Sequence, residues 1–382
     1  MKIGKLAAIL AAGVLAHAPA MAGQVVVMRP DNVNAALAAV QPGDTIRMEG
    51  LFTSPQRWRN RDFGGVTVDA SAATITGGFR LINVQNLRFS GGSWLAPGIG
   101  DAIRLEDSAH VSFGGLVISG SQDRLGAGIR VMRSSHVTVR DNRFEGLRNG
   151  AILFTVTDSL AARNHFADGG EDGMKILDSQ RVIASHNSCT GFEPLPGYHA
   201  DCIQLWSLVD RPVQSDVYLL NNLAIGPQQA FVSFDPGDMS GTRLTFIGNY
   251  AATTSPHTIT CIGCTDSLFA DNMLIVMPDA PWAAAMKITG SGSGNVYGDN
   301  PYFDLRGQHG IMLPDPVFSS FTPSLAGLVG SQWDDRSFGL AQATSAPEPA
   351  SWVMLMAGFG LVGSALRRRV SRKRVGLPGC AA

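Results

Sequence analysis

The chain has 382 residues, including 44 glycines, and only 16% of its residues are charged. Its 30 basic and 31 acidic residues give a formal net charge of −1 at pH 7, which excludes binding of nucleic acid or another polyanion through overall charge. The glycine content indicates a turn-rich protein that is mainly β.

Residues 1–22 have the pattern of a secretory signal peptide. Two lysines precede an apolar run over residues 6–15, and the sequence AMA at 20–22 supplies the small residues of a cleavage site. The apolar run is shorter than the roughly 20 residues that a membrane-spanning helix needs. We therefore expect export of the chain and a mature protein that begins near Gly23.

Residues 33–53, VNAALAAVQPGDTIRMEGLFT, predict a short amphipathic helix, a Pro-Gly turn and a first strand. A helix at this place would cover the open end of an apolar core and the first edge strand. We therefore expect an N-terminal capping helix.

Short apolar segments that end in asparagine recur along the middle of the chain, 22 to 35 residues apart. A second short β segment, such as AGIRVM at 127–132, lies upstream of each. This period matches a right-handed parallel β-helix, whose stacked coils bury a continuous core. We expect the asparagines to adopt the left-handed conformation of tight corners and to bond the equivalent amide one coil away. They are Asn142, Asn164, Asn187, Asn222, Asn249 and Asn272.

The sequences AALAAVQPGDTI (35–46) and GIRVM…VTVRDNRF (128–144) resemble the pectate-lyase-like right-handed β-helix superfamily. The resemblance covers the chain from near residue 30 to near residue 300. It implies an all-β solenoid of about ten coils behind the capping helix, which we place at residues 23–310. Because this fold carries lyases, hydrolases, epimerases, esterases and non-catalytic adhesins, the resemblance alone assigns no reaction.

Alternate side chains of a strand face opposite sides of a sheet, so the coil alignment predicts which residues point outward. Residues expected to face the core include Ile129, Ile152, Ile203 and Phe234. One outward column is expected to comprise Arg104, Arg130, Leu153, Lys175, Gln204, Ser233 and Thr260. A second is expected to comprise Asp101, Ala127, Gly150, Asp172, Asp201 and Ala230.

Asp172 and Asp201 fall on neighbouring coils of the second column, about 4.8 Å apart. Two carboxylates at such a short distance repel each other, which raises the pKa of one of them. A protein that kept this pair for packing alone would lose stability by it. The sequence GYHADCIQLW at 197–206 and an inserted loop at 191–199 lie beside them, as in a sugar-binding cleft. A solvated strand face without chemistry is the alternative. The catalytic candidates are Lys175, His199, Asp201 and Asp172, and the substrate-binding candidates are Arg130, Gln204, Trp206 and Glu171.

This cluster favours an enzyme that acts on an acidic polysaccharide, as a lyase or an epimerase. Such a reaction needs the uronate carboxylate to be neutralised and a base for the C5 proton. Arg130 and Gln204 suit the first role, and Lys175 or His199 suits the second. Calcium is the candidate cofactor, because carboxylates bind it well. Its expected ligands are Glu171, Asp172 and Asp201.

Two alternatives stay open. A glycoside hydrolase of the same fold would use two carboxylates as acid and base, although the motif series of polygalacturonases is absent from the sequence. A non-catalytic protein that binds exopolysaccharide is the other. The sequence YHAD at 198–201 loosely resembles the Tyr, Asp and His cluster of uronate epimerases and lyases, but in a different order, so no roles are transferred. The sequence contains no helix-turn-helix motif and no phosphate-binding loop, so it does not predict a nucleic-acid partner.

Four of the five cysteines lie in the repeat region, at 189, 202, 261 and 264. In an exported chain they permit disulfides. The sequence CIGC at 261–264 has no second ligand pair at zinc spacing, so we expect a local disulfide or buried thiols there.

The C-terminal residues contain PEP at 347–349, an apolar stretch at 350–366 and three arginines at 367–369. This order resembles the PEP-CTERM sorting signal, although VSRKRVGLPGCAA continues beyond the arginines. The resemblance implies a short transmembrane helix, processing by an exosortase, and a Gram-negative, exopolysaccharide-producing host. We expect an extension at 311–346, a sorting segment at 347–382, and a final location in the periplasm, at the cell surface or in the extracellular matrix.

Overall fold

The structure is a computed structural model that describes residues 23–208, 211, 213–233, 240–310 and 312–321. These residues wind as a right-handed parallel β-solenoid of about eleven coils, which confirms the predicted fold class. Each strand pairs in parallel with the equivalent strands of the coils before and after it. The N-terminal elements are β1 (Val25–Met28), α1 (Val33–Ala39), β2 (Thr45–Phe52), β3 (Gln56–Ile75) and β4 (Phe79–Ser90).

Three strand positions in each coil build three sheets, and β3 and β4 each span more than one of them. The first sheet continues through β6 (Asp101–Glu106), β9 (Ala127–Met132), β12 (Asn149–Phe154), β15 (Met174–Leu177), β18 (Asp201–Trp206), β21 (Gln229–Ser233), β24 (His257–Ile262) and β27 (Ala285–Thr289). The second contains β7 (Ala109–Gly114), β10 (Ser135–Arg140), β13 (Thr157–Ala162), β16 (Gln180–Ser185), β19 (Ser215–Leu220), β22 (Thr245–Ile247), β25 (Leu268–Ala270) and β28 (Val296–Tyr297). The third contains β5 (Ser93–Leu95), β8 (Val117–Ser119), β11 (Arg143–Glu145), β14 (His165–Ala167), β17 (Ser188–Thr190), β20 (Leu223–Gly226), β23 (Tyr250–Thr253), β26 (Met273–Val276) and β29 (Tyr302–Asp304).

One continuous apolar core runs along the solenoid axis, because each coil turns its apolar side chains inward onto those of the next. Phenylalanine rings stack between neighbouring coils, as Phe144 and Phe166 do with ring centroids 4.8 Å apart. The predicted capping helix is present: Ala36 of α1 is buried in the core. Arg61 holds the helix in place by donating a hydrogen bond to the carbonyl of Val40 at 2.7 Å.

The recurring asparagines form a buried ladder. The Asn164 side-chain amide donates to Oδ1 of Asn187 at 3.0 Å, and Asn187 donates in the same way to Asn222. The predicted bonding from coil to coil is therefore confirmed. The predicted conformation is wrong, because the left-handed residue at each corner is the one before the asparagine, such as Arg163 with φ 53°. The turn made at the corner residue leaves the asparagine after it pointing inward, where it is buried and bonded.

The strand register differs from the predicted alignment at two coils. Arg130 pairs with Ile152, and Gln204 pairs with Val232, so both alignments were one residue off. Leu153 lies in the core, whereas Ile152 lies in the outward column and is still only 6% exposed. Where both neighbours on a strand are apolar, hydrophobicity cannot select between the two registers. In the outward columns, Ile152 and Val232 therefore replace Leu153 and Ser233, and Asn149 and Gln229 replace Gly150 and Ala230.

The last described residues leave the final coil and run along the outside of the solenoid. Tyr250 Oη donates to the carbonyl of Pro314 at 3.0 Å, and Asn221 exchanges two hydrogen bonds with the backbone of Ser319. No helix within the described ranges has the length and apolarity to span a bilayer. The predicted transmembrane segment at 350–366 and the predicted core residue Phe234 lie outside the described residues.

Candidate functional site

Two buried acids of neighbouring coils lie in contact on the first sheet. Asp172 lies just before β15, and Asp201 is the first residue of β18. The backbone N–H of Asp201 donates to Oδ1 of Asp172 at 2.9 Å. Neither side chain is more than 1% exposed, so the predicted stack is confirmed and is more deeply buried than a strand face would be.

Basic groups surround this pair of acids. Lys175 Nζ lies 2.6 Å from Glu171 Oε1 and 2.8 Å from Asp172 Oδ2. Arg148 donates from Nε to the other oxygen of Glu171, to which the amide of Asn149 also donates at 3.2 Å. Glu171 and Asp172 therefore each contact a cation, as buried carboxylates require, whereas Asp201 contacts His199.

These contacts shift the protonation of each group. Burial and the neighbouring Asp201 carboxylate raise the pKa of Asp172 to about 7, since together they outweigh the attraction of Lys175. Burial opposes the charge on Glu171, but hydrogen bonds from Lys175 and Arg148 lower its pKa overall. Burial likewise opposes the charge on Lys175, but Asp172 and Glu171 raise its pKa. Lys175 is thus held as an ammonium group.

His199 lies at the end of the loop at 191–199, just before β18, and we call the surface beside this loop and β18 the groove. Its Nδ1 is 3.3 Å from Oδ1 of Asp201, and its side chain is 57% exposed. The hydrogen bond to Asp201 raises the pKa of His199 despite partial burial. A buried acid thus orients an exposed imidazole whose second nitrogen is left for a ligand.

The inserted loop at 191–199 carries His199 and is held at both ends. Cys189 of β17 and Cys202 of β18 are joined by a disulfide. Leu195 donates from its backbone N–H to the carbonyl of Gly170 at 2.8 Å. The Tyr198 ring lies 4.4 Å below the Arg148 guanidinium, which adds a cation–π contact. Cys261 and Cys264 form a second, local disulfide, as expected for CIGC.

Several buried polar atoms of the first sheet have no hydrogen-bond partner within the described residues. They are Asn149 Oδ1, Asp201 Oδ2, Gln204 Oε1, Trp206 Nε1, Gln229 Oε1 and Thr258 Oγ1. An unsatisfied buried polar atom costs about 1–3 kcal/mol, so atoms of this kind on one surface indicate a place for a polar ligand. Asp201 and Gln229 are register partners, which places two of these atoms on adjacent coils.

The structure brings most of the predicted site together. Glu171, Asp172, Lys175, His199 and Asp201 form one contact network, and Gln204 pairs in register with Lys175. The other two residues lie apart. Arg130 is separated from Lys175 by the coil of Ile152 and donates from Nε to Asp101 at 2.9 Å, and Trp206 lies at the far end of β18.

Five residues in or beside the cluster were not among the predicted site residues. The register error hid Asn149 and Gln229, which occupy the positions assigned to Gly150 and Ala230. Arg148 and Tyr198 lie in turns, where strand alternation gives no signal. His257 lies on the next coil at the position aligned with Gln229, so it continues the column of Asp201 and Gln229. Its Nδ1 lies 3.3 Å from Thr260 Oγ1.

The cluster does not fit the calcium ligand set that the sequence predicts. Both oxygens of Glu171 are bound by Arg148 and Lys175, and Lys175 also lies against Asp172. The remaining set of Asp172, His199 and Asp201, whose ligand atoms lie within 4.8 Å of one another, offers too few oxygens for an ion that takes six to eight. Lys175 and Arg148 already bind two of the three acids, Glu171 and Asp172.

Comparison with known families identifies two parts of the chain. Residues 65–194 match the family model of the right handed beta helix region, and residues 345–369 match the PEP-CTERM protein-sorting motif. The described residues have the right-handed parallel β-helix fold, and a C-terminal segment matches the PEP-CTERM sorting motif. The motif indicates export and sorting in a Gram-negative bacterium.

Several solved structures have a similar chain fold at low sequence identity. The β-helix protein is similar to a PL6-family alginate lyase (13% identity, TM-score 0.38, 73% of this chain and 51% of that one). It is also similar to a surface adhesin of Streptococcus pneumoniae (11% identity, TM-score 0.46, 73% of this chain and 80% of that one). A pectate lyase is similar as well (13% identity, TM-score 0.47, 71% of this chain and 79% of that one). The chain thus spans about half the length of the alginate lyase. These likenesses assign no activity, and no curated protein matches.

Proposed function

We propose that this exported β-helix protein is a lyase or C5 epimerase that acts on a uronate-containing polysaccharide. The observation that carries the proposal is the pairing of an exposed His199 with a fully buried Asp201 above the groove. A histidine oriented by a carboxylate is suited to take and return a proton. The unsatisfied amide oxygens and Asp201 Oδ2 nearby support a site built for a polar ligand.

Both reactions begin in the same way. Neutral His199 takes the C5 proton of the uronate at Nε2, and the electron pair of that bond moves toward the carboxylate. Lys175 and Arg148 supply positive charge, and the Gln204 amide supplies hydrogen-bond donors, to the developing negative charge. In a lyase the C4–O bond then breaks and a C4–C5 double bond forms, with a proton passing to the leaving oxygen. In an epimerase a proton returns to C5 from the opposite face.

The structure favours different roles for two of the predicted residues. Because Lys175 is held as an ammonium group by two carboxylates, we assign it to charge stabilisation and leave the base to His199. Because Arg130 lies beyond the coil of Ile152, we assign it to binding of the polymer away from the reacting sugar.

Hydrolysis is a weaker proposal. The two carboxyl groups of a retaining glycosidase are about 5–5.5 Å apart, and those of an inverting enzyme are farther apart. Asp172 and Asp201 are closer than that, share a hydrogen bond, and are buried beyond the reach of a glycosidic oxygen. A non-catalytic polysaccharide-binding protein is the second candidate, because the charges of Glu171 and Lys175 are already matched within the protein.

We infer that the polysaccharide lies at the cell surface or in the matrix, and that an exosortase-type protease processes the C-terminal segment. Support comes from the sorting motif at 345–369. Replacing the arginines at 367–369 with glutamine should change the size or membrane retention of the protein in its host. Unchanged size and location would contradict this assignment.

The protein from residue 23 onward should be incubated in D₂O with a panel of polyuronates. A lyase produces absorbance from unsaturated ends, and an epimerase incorporates deuterium at C5 without chain cleavage. Loss of either signal in His199→Gln, with normal melting, supports the proposal. Absence of both signals on every polymer, or full activity of His199→Gln, would contradict it.

A further inference from the structure

Four arginines stand in one outward column on the N-terminal coils of the first sheet. Arg57 pairs in register with Arg80, Arg80 with Arg104, and Arg104 with Arg130. Strands of neighbouring coils lie about 4.8 Å apart, so the guanidinium groups rise from the surface at that interval. We call this column the arginine ladder. It continues into the column of Lys175 and Gln204 after one interruption at Ile152.

The ladder is only partly neutralised. Glu106 is bound by Arg80 at 2.7 Å and by Arg104 at 2.8 Å, and Asp101 is bound by Arg130 at 2.9 Å. The side chains of these three arginines remain 33–41% exposed, while both acids are nearly buried. Arg57 is exposed, and the structure gives it no ion-pair partner among the described residues. The column thus sets four cations against two acids, in a chain whose net charge is −1.

A row of like charges directly opposite one another on neighbouring strands is destabilising. Here the two acids offset part of this repulsion, and the arginine side chains stay 33–41% exposed to solvent. Guanidinium groups bind carboxylates through paired hydrogen bonds, so each rung can accept one carboxylate from solvent. A polyuronate presents one carboxylate on every sugar, and a sugar ring in an extended chain is about as long as the distance between two coils.

We propose that the arginine ladder is a binding track for a polyuronate chain, with one carboxylate for each coil. The chain would run along the first sheet from Arg57 to the groove at His199 and Asp201. This proposal deepens the proposed function, since it names the substrate class and the length that the site reads. Six register steps separate Arg57 from Gln204, so a chain of more than six sugars is needed to occupy both the ladder and the groove.

Arg57→Gln tests the track without disturbing an ion pair. The matched control is Arg88→Gln, since Arg88 of β4 is also exposed and faces outward from a neighbouring sheet in register with Ser112. Binding of fluorescent polyuronate octamers and tetramers should be measured at several salt concentrations. For the octamer, Arg57→Gln should weaken binding three- to tenfold and reduce the slope of log affinity against log salt by about one. Tetramer binding in Arg57→Gln and all binding in Arg88→Gln should match the wild type.

Equal octamer affinity in Arg57→Gln and the wild type would overturn the track, as would an equal loss in Arg88→Gln. Equal binding of neutral dextran would do the same. Dextran sulfate that binds as tightly as polyuronate would overturn the assignment to carboxylates. Because binding needs no turnover, the measurements can be made in His199→Gln. If the protein binds octamers through the arginine ladder but has no activity, the proposed binding track is supported and only the proposed enzymatic function is contradicted.

Discussion

The backbone N–H of Asp201 donates to Oδ1 of Asp172 across two coils, while the side chain of Asp201 faces His199. The two acids are therefore joined without a hydrogen bond between their carboxyl groups. A change of side chain at Asp201 leaves the backbone donor in place. Charge at this position can thus be removed while the stack itself is kept.

Asp201→Asn should keep the fold and lose turnover. The amide cannot support the imidazolium of His199 as a carboxylate does, so the rate on the active polymer should fall about 10²- to 10⁴-fold. The melting temperature should be equal or higher, because one of two adjacent buried carboxylates is gone. Asp123→Asn, at an exposed turn, is the matched control and should change neither quantity. A variant that melts and works normally would place the protein among non-catalytic solenoids.

Activity should rise with pH, because His199 must be neutral to take a proton. The hydrogen bond to Asp201 raises the pKa of His199, so the rise should lie above the range of an ordinary histidine. Without the carboxylate, in Asp201→Asn, the residual activity should rise at a lower pH. The measurement is kcat/KM against pH for both proteins. A profile whose midpoint is the same in both would contradict the pairing.

Asp172→Asn should stabilise the protein more at high pH than at low pH. Burial raises the pKa of Asp172 from 3.8 to about 7 in the folded state. The stability that this group contributes is therefore present below pH 4 and is lost as the pH rises toward 7. The difference in melting temperature between Asp172→Asn and the wild type should grow over that interval. A difference that is constant or shrinks would mean that Lys175 stabilises the charged acid fully.

The disulfide that closes the loop at 190–201 should contribute to both stability and activity. Replacing Cys189 and Cys202 together with serine should cost about 3 kcal/mol of unfolding free energy, as for other closed loops of similar length. Activity should fall as well, since Tyr198 and His199 lie in this loop. The double replacement of Cys261 and Cys264 is the control, and it should leave activity unchanged. Equal activity losses in both would show a general effect on folding.

Asn187→Ala should be among the most damaging single changes in the solenoid. Its side-chain amide donates to Ala161 O and Asn222 Oδ1, and its oxygen accepts from the backbone and side chain of Asn164. Leaving these buried groups unpaired should cost about 2–4 kcal/mol in a urea titration. Asn300→Ala, at the partly exposed end of the same ladder, should cost less. Equal costs would mean that the ladder does not act through burial.

The sequence predicts the solenoid well because its signals repeat. From Asn142 onward each coil carries an asparagine that bonds the next, so even irregular intervals such as that between Asn187 and Asn222 preserve the alignment of the second sheet. The capping helix was predictable for a related reason, since an apolar helix face before the first coil has one place to pack.

The first sheet was harder to predict, because its strands lack a marker of this kind. Ile152 and Leu153 are both apolar, and nothing in the sequence says which faces inward. The stack of Asp172 on Asp201 was predicted because each acid lies two residues before an inward-facing apolar residue, Met174 in one coil and Ile203 in the next. The ion pair of Arg148 with Glu171 was not, because it joins a turn to the next coil and depends on turn geometry that alternation does not describe.

The asparagine ladder makes the coil an interchangeable unit of construction. Each asparagine accepts a hydrogen bond from the asparagine of the coil before it and donates one to the asparagine of the coil after it. The asparagine of a duplicated coil could therefore form both hydrogen bonds. A coil inserted between Arg130 and Ile152 would lengthen the protein and its surface columns by the same single step. The length of the surface columns is therefore set by the number of coils, and so by how many times one short sequence repeat has been copied.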